Sequence, residues 1–126
     1  MNPMLALRQY QKVEAQARVS EASPHRLVQM LMEGGLDRIA QAKGAMERKD
    51  IPNKGVLIGK AVGIIGGLRE GLDMTNQGEE LARIDNLYVY MMTRLTEANS
   101  KNDPKILDEV SELLTTVKEG WDAVAV

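Results

Sequence analysis

Apolar residues recur at helical spacing in five stretches of this chain, and nowhere do apolar and polar residues alternate with period two over a useful length. The first stretch, residues 3–17, places Ala6, Tyr10, Val13 and Ala17 on a narrow, weakly amphipathic stripe. The second opens at Ser23-Pro24, an N-cap residue followed by proline at the first helical position, and runs to about residue 48. Its apolar arc is broad, taking in Leu27, Val28, Leu31, Met32, Leu36, Ile39, Ala42 and Met46. Asp50-Ile51-Pro52-Asn53 breaks the pattern, and a third helix is expected to about residue 73 with Leu57, Ile58, Ala61, Ile64, Ile65, Leu68 and Leu72 inward. Thr75-Asn76-Gln77-Gly78 reads as the next turn.

The fourth helix, residues 79–99, turns Leu81, Ile84, Leu87, Tyr88, Met91, Leu95 and Ala98 inward. After the polar stretch 99–104, Asp103 caps a fifth helix with Pro104 at its first position, and Ile106, Val110, Leu113, Leu114, Val117 and Trp121 form its apolar face. The fold class expected is all-α. Four helices of similar length joined by short turns make an antiparallel up-down four-helix bundle over residues 19–126, with residues 1–18 as an additional short amphipathic helix packing on it, in one domain spanning 1–126.

One departure from ordinary patterning stands out. Gly55, Gly59, Gly63, Gly67 and Gly71 recur at every fourth position of the third helix, on one slowly turning ridge. Each interior glycine costs about 0.8–1 kcal/mol of helix stability relative to alanine, so the track needs a compensating contact. At 100° per residue the ridge lies opposite Leu57, Ala61, Leu68 and Leu72, away from the expected core face. A glycine surface allows close helix approach. The approaching helix is either the N-terminal helix or a bundle neighbour, or else a helix of a partner, including a second copy of this chain. Val56 lies within the track and Val62 at its edge, while Val89 and Tyr90 project from the fourth helix away from its core stripe. Together they are expected to form a larger exposed apolar area than a soluble monomer usually carries.

Composition narrows the function classes. The apolar inventory of eight Met, one Trp, three Tyr and no Phe predicts a soft aliphatic core, with Met32 the methionine expected at the arc's edge and open to a partner. Sixteen Lys and Arg against eighteen Asp and Glu leave a charge of -2, so no field favours nucleic acid or an anionic membrane. Lys43, Arg48, Lys49 and Lys54 gather near one turn without interleaved aromatics. Absence of cysteine fits a reducing compartment, no apolar run approaches the ~20 residues of a membrane span, and the opening residues do not read as a secretory signal. A cytoplasmic protein without stable membrane insertion is expected.

Candidates for chemistry are sparse. His25, the sole histidine, reads as a solvated first-turn residue. Glu79-Glu80 and Asp108-Glu109 lack the histidine spacing of a di-iron bundle and read as first-turn charges favoured by the helix dipole. The helix-spaced glycines form no phosphate loop. No enzyme, metal or cofactor is expected, and binding of another polypeptide is.

In order along the chain, Tyr10, Ala22-Ser23-Pro24-His25-Arg26-Leu27-Val28-Gln29-Met30-Leu31, Asn86-Leu87-Tyr88-Val89-Tyr90-Met91 and Trp121 resemble the flagellar export chaperones of the FliS family. The resemblance spans nearly the whole chain, although family members usually carry an aromatic at the position of Met32. It implies an antiparallel four-helix bundle that binds the C-terminal segment of flagellin, prevents premature polymerisation and delivers it to the flagellar type III export gate. It further implies a wrapped segment that places short helices in apolar grooves. On this chain the groove is expected at Met32, Val56, Ile58, Gly59, Val62, Gly63, Gly67, Val89 and Tyr90, with Leu7 and Tyr10 engaging the export gate or capping the bundle. When free, the protein is expected to be a monomer or a weak homodimer.

Overall fold

The computed structural model describes residues 22–72 and 78–124. Four helices follow in order: α1 (Pro24–Glu47), α2 (Ile51–Glu70), α3 (Glu79–Lys101) and α4 (Pro104–Asp122), and the described residues include no strand. The expected N-terminal helix with Leu7 and Tyr10, and the turn at residues 75–77, lie outside the described residues.

Caps explain where the helices start. Ser23 Oγ accepts the Arg26 N–H at 3.1 Å, Asp50 accepts from Asn53 N–H at 3.3 Å, and Asp103 accepts from Lys105 N–H at 2.9 Å. The expected break at residues 50–53 is therefore shorter than its composition suggests, because Ile51 and Pro52 already form the first turn of α2. Gly78 offers α3 no side-chain cap, and Glu79 and Glu80 meet the dipole there.

Two helix ends take left-handed backbone without glycine. Lys49 sits at φ 60°, where Asp50 N–H reaches Ala45 O at 2.8 Å and Lys49 N–H reaches Met46 O at 3.1 Å, a Schellman closure of α1. Asn102, at φ 52°, ends α3 in the same sense, with Asp103 N–H on Ala98 O at 3.2 Å. Asparagine tolerates this conformation better than lysine does.

Helix α1 packs on α2 and α4, and α3 packs on the same two. Polar pairs record which ends meet. Lys54, near the start of α2, reaches Asn99 near the end of α3, and Arg69, near the end of α2, reaches Asp85 near the start of α3. Lys43 of α1 meets Asp108 in the first turns of α4 at 2.9 Å, and Gln29 of α1 meets Asp122 at the end of α4 at 2.7 Å. The interior is aliphatic and methionine-rich: Met32, Ile65, Met91, Leu95, Leu107, Val110 and Leu114 are all but inaccessible. Close backbone approach matters at Gly35, where a Cβ would lie 3.2 Å from Leu114 Cδ2 and 3.5 Å from Ile64 Cγ2.

Several expectations need correction. Met32 is only 1% exposed and belongs to the core cluster, because the α1 arc faces both α2 and α4 and its presumed edge is interior. Leu107, absent from the expected core face of α4, is fully buried. His25 is not a solvated residue. Its Nε2–H donates to Trp121 O at 2.8 Å, Trp121 Nε1–H donates to His25 O at 2.9 Å, and the rings stack at 4.8 Å with 12° between planes. This clasp joins the first turn of α1 to the last of α4, with Asp122 held beside it by Gln29 and by Lys118 at 2.7 Å. The Lys118 ammonium, foremost, keeps the Asp122 carboxyl below its ordinary range.

Replacing Trp121 by Phe keeps a ring over His25 but strips the donor from its carbonyl, and unfolding in urea followed by circular dichroism is expected to register a loss of about 1–2 kcal/mol. Lys49→Gly relieves the left-handed strain, and the same measurement is expected to show a gain of about 0.5–1 kcal/mol after allowance for the freer unfolded chain.

Candidate binding groove

Helix α2 carries apolar or glycine positions around most of its circumference, so burial on one side alone cannot satisfy it. Its inner face is packed by Leu57, Ile58, Ala61, Ile64, Ile65 and Leu68. On the side toward α3, a trough of about 230 Å³ opens between the helices, lined by Gly55, Ile58, Gly59, Val62 and Gly63 of α2 and by Met92, Thr96 and Asn99 of α3. Among the described residues a Cβ built on Gly55 or Gly59 would meet nothing within 4 Å, so they leave that stretch open. The glycine track is consequently divided. Gly55 and Gly59 are half-buried and Gly71 exposed, whereas Gly63 and Gly67 are buried, contrary to the expectation of one ridge outside the core. The reason is the near-continuous apolar circumference of α2, which leaves its C-terminal half enclosed.

Of the residues expected at a partner groove, Ile58, Gly59, Val62 and Gly63 meet in this trough. Val56 is 55% exposed but lies 100° around the helix from Gly55, outside the lining. Gly67 is buried beyond it and Met32 is in the core. Val89, 39% exposed, shares the Met92 and Thr96 side of α3, separated by about 60° or less around the axis, without lining the trough. Tyr90 faces the other neighbour: its hydroxyl donates to Glu109 of α4 at 2.9 Å. Arg94 joins that array through Glu109 at 2.7 Å and Glu97 at 2.6 Å, and Lys101 reaches Glu97 at 2.6 Å. Arg94, and secondarily Tyr90, hold the Glu109 carboxyl below the ordinary range; Lys101, then Arg94, do so for Glu97. Leu7 and Tyr10 lie outside the described residues.

Lys54 was legible only as one of several basic residues near a turn, yet it is 5% exposed. Its ammonium donates to Asn99 O at 3.0 Å and Asn102 Oδ1 at 3.1 Å, at the end of the trough. The sequence did carry the signal, since position 54 precedes Ile58 and Ala61 by four and seven residues on the core face. At the far end of the same helix pair, Arg69 grips Asp85 through two contacts of 2.6 and 3.4 Å. The Asp85 hydrogen bond raises the Arg69 guanidinium above its ordinary value.

The trough is smaller than the roughly 300–1,000 Å³ usual for a small-molecule pocket and lacks convergent charged groups. Among the described residues no group of His, Cys, Asp or Glu could hold a metal, and no helix is long and apolar enough to cross a membrane. What the geometry offers is shallow apolar surface between two helices, suited to another polypeptide.

The family model described as Flagellar protein FliS matches residues 6–126. The chain belongs to the FliS family. Similar relatives include the flagellar secretion chaperone FliSB of Pseudomonas aeruginosa, 60% identical over 125 residues covering 99% of each chain. The flagellar secretion chaperone FliS of Vibrio cholerae is 44% identical over 94% of this chain and 88% of its own, and that of Salmonella typhimurium 36% identical over 94% and 89%. FliS relatives are named as chaperones and not as enzymes.

Within the motif that signals FliS membership, two tyrosines have opposite fates. Tyr90 is exposed, whereas Tyr88 is 3% exposed and burial pushes its phenol up to about 12. The folded state thus resists losing this proton while the unfolded chain loses it near 10.0, so the stabilisation is intact below pH 10 and is lost as pH rises through about 12. Ultraviolet titration combined with unfolding is expected to show a tyrosine that ionises in that window only as the fold is lost, and Tyr88→Phe is expected to remove that component.

Proposed function

We propose that this protein is a cytoplasmic chaperone that binds the C-terminal segment of flagellin along the α2/α3 trough, prevents its premature polymerisation and delivers it to the flagellar type III export gate. The names of the relatives, flagellar secretion chaperones, support the class of partner. The observation that carries the site is the open stretch at Gly55 and Gly59, where among the described residues a Cβ would meet nothing within 4 Å and glycine leaves room for close backbone approach. The start-to-end polar pairs between neighbouring helices support an antiparallel up-down arrangement, within a single bundle domain. Its grooves run along the helices. A disordered segment that folds on binding gives up several kcal/mol in ordering, and one shallow trough of this size recovers little of that, so the segment is expected to wrap further, past Val56 and Val89. Binding then orders residues that polymerisation would use. Leu7 and Tyr10 are proposed to engage the export gate or cap the bundle, and the free protein to be a monomer or weak homodimer.

Gly59→Leu tests the site cleanly, because the position has room for a side chain and leucine is the better helix former. The variant is expected to gain about 0.5–1 kcal/mol in urea unfolding while losing at least about tenfold in calorimetric affinity for a flagellin C-terminal peptide. Unchanged affinity in the folded variant rejects the trough as the binding site, and a loss of self-association without any effect on peptide binding points to a second copy of this chain as the occupant.

A further inference from the structure

We propose that Lys54 is a positioning residue for the α2/α3 trough, acting through Asn99 and Asn102 to hold the two helices at the separation a bound segment needs; this rests on the reading of the trough as the flagellin site. Four observations converge. Lys54 is the buried charged residue of the described core, at 5% exposure, although most lysines keep their ammonium in water. Among the described residues its partners are not carboxylates but Asn99 O at 3.0 Å and Asn102 Oδ1 at 3.1 Å. Those acceptors sit where α3 ends, so the partial negative charge of the terminal carbonyls complements the ammonium. Asn99 is itself part of the trough lining, one helical turn from Thr96.

The need for such a strut follows from the glycines. Helix spacing is normally set by the side chains at the contact. Gly55 and Gly59 supply none, so at this end the α2–α3 spacing falls to the core residues beside them, such as Ile58, and to Lys54. Lys54 is one residue before Gly55, and its extended side chain bridges from the first turn of α2 to the last turn of α3. Arg69 and Asp85 tie the opposite end of the pair, but that pair is more exposed and more easily screened. The trough lies between the two ties. A site held in its bound geometry before the ligand arrives loses less on binding, which is the advantage the strut confers.

Asn102 makes the inference testable without unfolding the protein. Glycine accepts φ 52° more readily than asparagine, so Asn102→Gly keeps the helix end while deleting one acceptor of the strut. The expected result is a loss of about tenfold in affinity for the flagellin C-terminal peptide, larger than any fall in unfolding midpoint accounts for. Lys54→Met, which removes all donors, is expected to weaken binding more, beyond any fall in its midpoint. If Asn102→Gly binds like wild type, the lysine is a structural cap and the proposal is overturned, whatever Lys54→Met does. Gly59→Leu in the same series separates the two readings: normal binding by that variant removes the trough and with it the role of Lys54, whereas weak binding by Gly59→Leu beside normal binding by Asn102→Gly leaves the trough and removes only the strut.

Discussion

Helix α2 depends on close contact, because the chain has exchanged side-chain bulk for backbone along it. Gly55, Gly59, Gly63, Gly66 and Gly67 are interspersed among residues that are mostly aliphatic. Isolated, such a helix is a poor one, since each glycine lowers its propensity by about 0.8–1 kcal/mol. Its persistence must come from tertiary packing, and α1 and α3 provide this along its length. Where these neighbours enclose it, around Ile64, Ile65 and Leu68, the glycines become buried backbone. Where glycine takes the place of a side chain beside α3, around Gly55 and Gly59, the same composition leaves a trough. Fold and candidate site are thus two outcomes of one choice of residues.

Polar interactions then act mainly at the ends of helices. Ser23, Asp50 and Asp103 start helices, Lys49 and Asn102 stop them, and the His25–Trp121 clasp and Lys54 join one helix end to another. No buried side-chain polar atom is left without a partner among the described residues. A core of Met, Leu, Ile and Val fixes position less sharply than a core of rings does, since methionine adapts to its surroundings. Directional bonds at the ends supply the register that soft packing does not, and each is short enough to be specific.

How legible this was depended on whether the physics was local. Helix starts were readable because Ser23-Pro24 and Asp103-Pro104 carry their cap and first-turn signals within two residues. Most inward faces followed from spacing alone, including Ile58, Ile65, Met91, Leu95, Val110 and Leu114. The failures were long-range. Met32 lies at the edge of an arc only if one neighbour is counted, and α1 has two. His25 meets Trp121 across 96 positions of sequence, and no periodicity links a first-turn histidine to a last-turn tryptophan. Val89 and Tyr90, adjacent and both apolar on paper, belong to different seams because successive helical residues diverge by 100°. Tyr90 was joined to the glycine track by shared exposure, which says nothing about shared direction.

The contrast among the glycines bears on what the trough is for. At Gly35 the fold crowds any side chain, because a Cβ would lie 3.2 Å from Leu114 Cδ2, which would have to give way. At Gly55 and Gly59 the fold imposes no such limit: both are helical, neither has a left-handed backbone, and a methyl group would enter open space. Alanine at those two positions should stabilise α2 by about 1 kcal/mol each, so packing among the described residues gives no account of glycine there. A surface that must receive another backbone at close range does give one, since even a methyl would hold the incoming helix away. Gly63 differs, being buried within the bundle. The open half of the track is therefore where the requirement for glycine points beyond the described helices, to the N-terminal segment of this chain or to a partner.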